Sequence, residues 1–265
     1  MFFLFLDANQ GLCIYPTVNL GMRILLNYKV LVLLFVLQAC TNNNDMVSPT
    51  YQTSLPIRIN YFVDGNELCF DSVMYQNTAG NKYSVTRLQY YISNIVLTTA
   101  SHAKVNLSAH YFIDARNKPN IIVLNQVPPN TYTGIAFDIG LGPDLNQHNK
   151  LPSTDENLSM IWPDLMGGGF HFIKLEGHYQ TPSSGLQGYA MHVGLNYFLI
   201  HHQNIPINCS VASADVDTLN LGMNVNEWYK HPYNYNFYTD GNYTMGDTTT
   251  MLHIANNGKD VFYEN

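Results

Sequence analysis

Charge is scarce in this chain. Asp, Glu, Lys and Arg make up only 12% of its residues, and the net charge is −7. No cluster of Lys or Arg follows Cys40, which excludes the usual footprint of a nucleic-acid or anionic-membrane binder. Cysteine is scarcer still. Of the four in the chain, Cys13 and Cys40 lie near the start, leaving Cys69 and Cys209. Neither belongs to a Cys-x-x-Cys pair, so a zinc ribbon and a thioredoxin-like redox site are excluded. One disulfide and two buried thiols suit those cysteines equally well. Helical periodicity is confined to Val225–Lys230 and the residues from Met245 onward. No Gly-x-Ser-x-Gly nucleophile elbow occurs. Gly167-Gly168-Gly169 is not a phosphate loop, because no Lys directly follows and the run opens a strand, not a helix. Glu176 and Asp164 have no defined spacing that would make them a glycosidase pair.

An apolar run long enough to span a membrane comfortably is also missing. What is there is shorter. Arg23 and Lys29 accompany Ile24-Leu25-Leu26 and Val30–Leu37, and the run ends at Leu37-Gln38-Ala39-Cys40 before polar Thr41–Asp45. A basic start, a short apolar core and a small residue at the cut describe a secretory signal. Cysteine after the small residue is the pattern of a bacterial lipoprotein, with Cys40 lipidated as the first mature residue. Met1–Gly21 forms a second, weakly apolar segment, and Met22 stands where a signal peptide should begin. A start codon assigned too early accounts for this. The expected organisation is a leader and signal over residues 1–39, a lipidated tether over 40–54, and one domain over 55–265. The expected location is the cell envelope, at the outer membrane, held through lipid on Cys40.

From Leu55 the pattern has period two. Ile57, Ile59, Tyr61 and Val63 alternate with Arg58, Asn60 and Phe62, and Asp64-Gly65-Asn66 turns the chain. Further strands are expected over Tyr83–Thr86, Leu88–Thr99, Ile121–Leu124, Tyr132–Gly140, Phe170–Tyr179, Tyr189–Val193, Tyr197–His201 and Leu219–Val225. Many short strands punctuated by Gly, Pro and Asn predict an all-β, antiparallel sandwich with Greek-key connections and long loops. Gly142–Gly169 is too long for a plain hairpin, and loops of that length usually carry function.

That loop and the strands after it hold Met160, Trp162, Met166, His171, His178, Met191 and His192. Imidazole and thioether suit soft or borderline metals, copper above all. Alternation puts His171 with Ile173 and Leu175, and His192 with Ala190. If the two strands are neighbours joined by Thr181–Gly188, their imidazoles can converge as half of a copper site. The bland alternative is a pair of structural histidines with methionines filling the core, in a chain that carries ten His. His201-His202 precede Gln203-Asn204, which reads as a solvated turn.

Arg87–Ile95, Tyr132–Gly140, Met160-Ile161-Trp162, Gly168–Gly177 and Met191-His192-Val193-Gly194 occur in the order found in the MbnP-like family. Asn226-Glu227-Trp228-Tyr229 and Asn256–Phe262 resemble its Bacteroidetes branch. The resemblance covers Leu55 to the C-terminus. It implies a non-catalytic, copper-binding lipoprotein that acquires or buffers the metal. It also implies copper held by histidines near a tryptophan oxidised to kynurenine, with a di-haem peroxidase as partner. The implied counterparts are His192 as the strongest ligand, His171, and Trp162 as the aromatic; the thioether of Met160 or Met166 is expected as a further donor because Cu(I) favours imidazole and thioether. Asp164 stands two positions after Trp162, where the family carries a second tryptophan. The rival reading is a metal-free surface module for glycan, peptide or envelope protein, in which Glu227–Tyr235 stacks on sugars.

Overall fold

Apolar side chains at every second position become strands wherever the alternation runs long enough. The computed structural model describes residues 53–183, 185–212 and 216–265. The leader, Cys40 and the tether up to residue 52 lie outside the described residues. In chain order the strands are β1 (Ser54–Val63), β2 (Asn66–Glu67), β3 (Tyr75–Gln76), β4 (Lys82–Tyr83), β5 (Arg87–Thr99), β6 (Lys104–Leu107) and β7 (Tyr111–Asp114). They continue with β8 (Ile121–Asn125), β9 (Asn130–Ile139), β10 (His171–Gln180), β11 (Leu186–Gly194), β12 (Ile200–Val211), β13 (Leu219–Asn224) and β14 (Phe262–Glu264). Two helices interrupt them, α1 (Asp155–Ser159) and α2 (Thr248–Asn257).

The strands form two sheets over one shared core, the sandwich-like all-β fold that the alternation predicts. The smaller sheet is ordered β14-β13-β1-β2, with β8 also paired to β1. The larger runs β12-β9-β5-β10-β4-β3, with β11 on β10 and β6 and β7 on β5. All described ladders are antiparallel except β1 with β13, which pair in parallel from Ile57↔Leu219 to Phe62↔Asn224. Those two strands are far apart in sequence, so no hairpin dictates their direction. The long β5 bridges the larger sheet. Its first half lies between β10 and β7, and its second half between β9 and β6.

Two regions differ from the expected strands. Tyr197 belongs to a 3-10 turn, Asn196–Phe198, and β12 runs on to Val211. Thr154 caps α1 inside the long loop by accepting from Asn157 N, a helix too short to leave a periodic signal. The expected C-terminal helix is α2, where the Asp247 carboxylate accepts from the Thr249 and Thr250 N–H groups.

Candidate functional site

Strict alternation along β10 would separate the two histidines. His171 would then share the face of Ile173 and Leu175, whose partners Val193 and Met191 point away from His192. The register is broken at this point. His171 lies opposite Gly194 while Ile173 lies opposite Val193, so Phe172 is an extra residue, a β-bulge. The bulge carries His171 to the face of Lys174, Glu176 and His192. Phe172 itself fills the space over Gly140, where an added Cβ would sit 2.5 Å from its ring. The two imidazoles therefore meet, with centroids 5.0 Å apart and planes at 87°.

The long loop folds back over this pair. Gly167, Gly168 and Gly169 all have positive φ, which lets the chain reverse tightly before β10. His171 N donates to Met160 O at 2.7 Å and Trp162 N donates to Gly169 O at 2.9 Å, closing a short antiparallel bridge. The bridge lays the Trp162 indole against His171, centroid to centroid 4.7 Å. It also presses the indole onto Gly194, where a Cβ would approach the ring to 2.5 Å. Trp162 Nε1 donates to Met166 O at 3.0 Å, and the whole side chain is buried.

Each imidazole is oriented by a hydrogen bond on one nitrogen. His171 Nδ1 is 3.1 Å from the carbonyl of Met160, so Nδ1 carries the proton and Nε2 presents a lone pair. That Nε2 is buried and has no hydrogen-bond partner. Burial first, then the positive charges of Lys174 and His192, push the His171 pKa down to about 3, so the ring is neutral at physiological pH. His192 Nε2 lies 2.8 Å from Glu176 Oε1, and Arg87 Nη1 donates to both Glu176 oxygens at 2.9 and 3.0 Å. Burial raises the Glu176 pKa, but its hydrogen bond to His192 and the charges of His192 and Arg87 outweigh that and hold it below the ordinary value. In the neutral ring the ionised carboxylate accepts the Nε2 proton of His192 and leaves Nδ1 as the second lone pair, whereas in the charged ring both nitrogens carry protons.

A carboxylate or carbonyl on one nitrogen with the other left open is the usual dress of a metal-binding imidazole. His171 Nε2 and His192 Nδ1 are the nitrogens of this site able to hold an ion. Among the described residues no three His, Cys, Asp or Glu side chains come together as a metal cluster; the site offers the two imidazoles, with Glu176 engaged by His192 and Arg87. The contacts of Met160 and Met166 with the site run through their carbonyls. Met245 was not singled out from the sequence, yet its Sδ lies 3.2 Å from His192 Nδ1.

Other sequence expectations fare differently. His201 and His202 lie in β12, not in a turn, because Gln203 and Asn204 fall in a register shift of the ladder. His201 is largely exposed and its Nδ1 sits 2.6 Å from Asp138 Oδ1. His202 is buried, stacks on Phe137 and accepts from Phe262 N at 2.9 Å. The aromatic run proposed as a sugar platform is mostly core: Trp228, Tyr229 and Tyr235 are buried, and Tyr233 stacks on His253. Cys69 is exposed, Cys209 is buried in β12, and both are free thiols.

A search of curated proteins returns no match. Among solved structures the chain is similar to MbnP from Methylosinus trichosporium, with a TM-score of 0.48 and 15% identity. That match covers 70% of this chain and 80% of the other. The sequence profile of the MbnP family matches residues 52–258. With that span covering most of the chain, the protein is a member of the MbnP family.

Proposed function

We propose that this protein binds one copper ion through His171 and His192 beside Trp162, and that it acquires or buffers copper without catalysing a reaction. The observation that carries this reading is the pair of imidazoles, each hydrogen-bonded through one nitrogen, with the Nε2 of His171 buried and unpartnered. Leaving a buried polar atom unpaired costs about 1–3 kcal/mol, a cost that an ion at that atom would offset. Imidazole with a neighbouring thioether is a donor set suited to copper, whose preference for soft and borderline ligands exceeds that of the hard cations. His192 is 13% exposed, which gives an ion a route in from solvent. Family membership supports the same reading, because the resemblance that pointed to the family also pointed to copper. Met160 and Met166 meet the site through their carbonyls and are not counted among its donors, and oxidation of Trp162 by a di-haem peroxidase partner belongs to the same proposal. The protein works in the cell envelope, tethered by lipid on Cys40.

Equilibrium titration with Cu(I) under a competing chelator, followed by elemental analysis, tests the proposal. One copper per chain is expected, lost when His171 and His192 are both replaced by Ala. Absence of copper binding by the intact protein would defeat it.

A further inference from the structure

Asn242–Met245 runs beside the free edge of β11. Ala190 N donates to Asn242 O at 2.8 Å, and Ala190 bridges Tyr243 in parallel. The Thr244 hydroxyl accepts from His192 N at 2.7 Å and donates to His192 O at 2.5 Å. These bonds fix the next residue, Met245, with its Sδ 3.2 Å from His192 Nδ1. Met245 is half-buried and packs against the core.

The contact this creates pairs a ring nitrogen with a thioether sulfur, 3.2 Å apart. In the neutral ring whose Nε2 proton goes to Glu176, Nδ1 faces Met245 Sδ with a lone pair, whereas a ring protonated at Nδ1 donates to that sulfur. A thioether sulfur offers only lone pairs and no proton. In that neutral state two electron donors stand 3.2 Å apart with no acceptor between them. A shared soft cation supplies one. Met245 thereby meets the shortage noted above, in which, among the described residues, the two imidazoles form no metal cluster with a third His, Cys, Asp or Glu.

We propose that the Met245 thioether is the third donor of the site, completing a His171–His192–Met245 set from unmodified side chains. This rests on the copper reading above and adds its third ligand. Thr244 acts as the positioning residue, since its two bonds to the His192 backbone set where Met245 stands. A site built this way loads copper without any prior change to Trp162, whose indole serves as the wall against His171 and Gly194.

Copper K-edge absorption on the Cu(I)-loaded full chain reads sulfur scattering directly. The chain is produced in a host that makes no di-haem peroxidase, with mass spectrometry showing Trp162 intact. One sulfur scatterer is expected beside nitrogen. Met245→Leu should remove that scatterer and weaken Cu(I) binding at least tenfold in chelator competition, whereas Met160→Leu, Met166→Leu and Trp162→Phe should keep the scatterer. Circular dichroism and a melting curve accompany each variant. The wild-type spectrum needs no variant to fold, so the proposal is exposed to failure even if Met245→Leu aggregates. Copper bound with nitrogen and oxygen alone would overturn the Met245 assignment while leaving the two-imidazole reading intact. Sulfur scattering that survives Met245→Leu, or that disappears in Met160→Leu or Met166→Leu, would overturn it too. No copper bound by the wild-type chain would defeat the copper reading itself, and this proposal with it.

Discussion

The imidazoles of His171 and His192 meet edge to face at 5.0 Å, although regular strand alternation would send them to opposite faces of the sheet. One inserted residue, Phe172, makes the meeting possible. Such bulges re-aim side chains near functional sites at the cost of a locally disrupted ladder. Here the disruption coincides with the point where the long loop returns to the sheet and brings Trp162 with it.

If these rings are ligands, removing either should matter far more than removing a histidine elsewhere. His192→Ala and His171→Ala should each lower Cu(I) affinity by well over the roughly 10–100-fold that the loss of an outer partner costs. His201→Ala should leave affinity unchanged, since His201 faces solvent and Asp138 from another part of the sheet. Chelator competition on the three variants makes the comparison. Equal losses for His201 and His192 would show the site is misplaced.

Glu176 supplies a graded test. Its carboxylate holds the His192 tautomer and is itself clamped by Arg87. Glu176→Ala should weaken copper binding roughly 10–100-fold. Glu176→Gln retains an oxygen acceptor and should fall between that variant and wild type. Titration of both variants, with a melting curve for each, separates loss of orientation from loss of folding.

Gly194 has room for no side chain, because the Trp162 indole lies on it. Gly194→Ala must push the indole away or bend β11. Overpacking of this kind costs about 1–3 kcal/mol. The indole also walls His171, so the same variant should weaken copper binding. Urea unfolding reads the first effect and chelator competition the second. An unchanged midpoint would mean that the contact yields freely.

Away from the site, His202 makes stability sensitive to acid. Burial lowers its pKa to about 4, well under the ordinary value near 6.5. The folded state thus binds the proton less readily than the unfolded chain. Its contribution is complete above about pH 6.5 and is lost as pH falls from there toward about 4. Between pH 7.5 and pH 5 the loss should be roughly 2 kcal/mol. His202→Gln should flatten the slope by that amount in urea unfolding at the two pH values. An identical slope in both proteins would show that His202 is protonated equally easily in the two states.

Period-two alternation made most of the strands legible, because burying one face of a sheet leaves a mark at every second residue. The short Thr181–Gly188 connection allowed β10 and β11 to be neighbours, as they are, and with that the meeting of His171 and His192. The bulge at Phe172 was not legible, since an extra residue in a buried run of Phe170-His171-Phe172-Ile173 breaks no visible pattern. Met245 was hidden for a different reason. It lies 53 residues from His192, and hydrogen bonds from Asn242 and Thr244 to the β11 backbone bring it there. The burial of His202 was likewise set by β14, a distant strand whose Phe262 N–H finds its acceptor on that ring. Local spacing records neither kind of long-range contact.

The central claim is that His171 and His192 together hold copper, and the most direct measurement is copper stoichiometry. The protein, loaded with Cu(I) and freed of excess by a chelator, should retain one copper per chain. The His171→Ala/His192→Ala protein, shown folded by circular dichroism, should retain none. Copper retained in full by the folded double variant, or no copper retained by the wild type, would contradict the account.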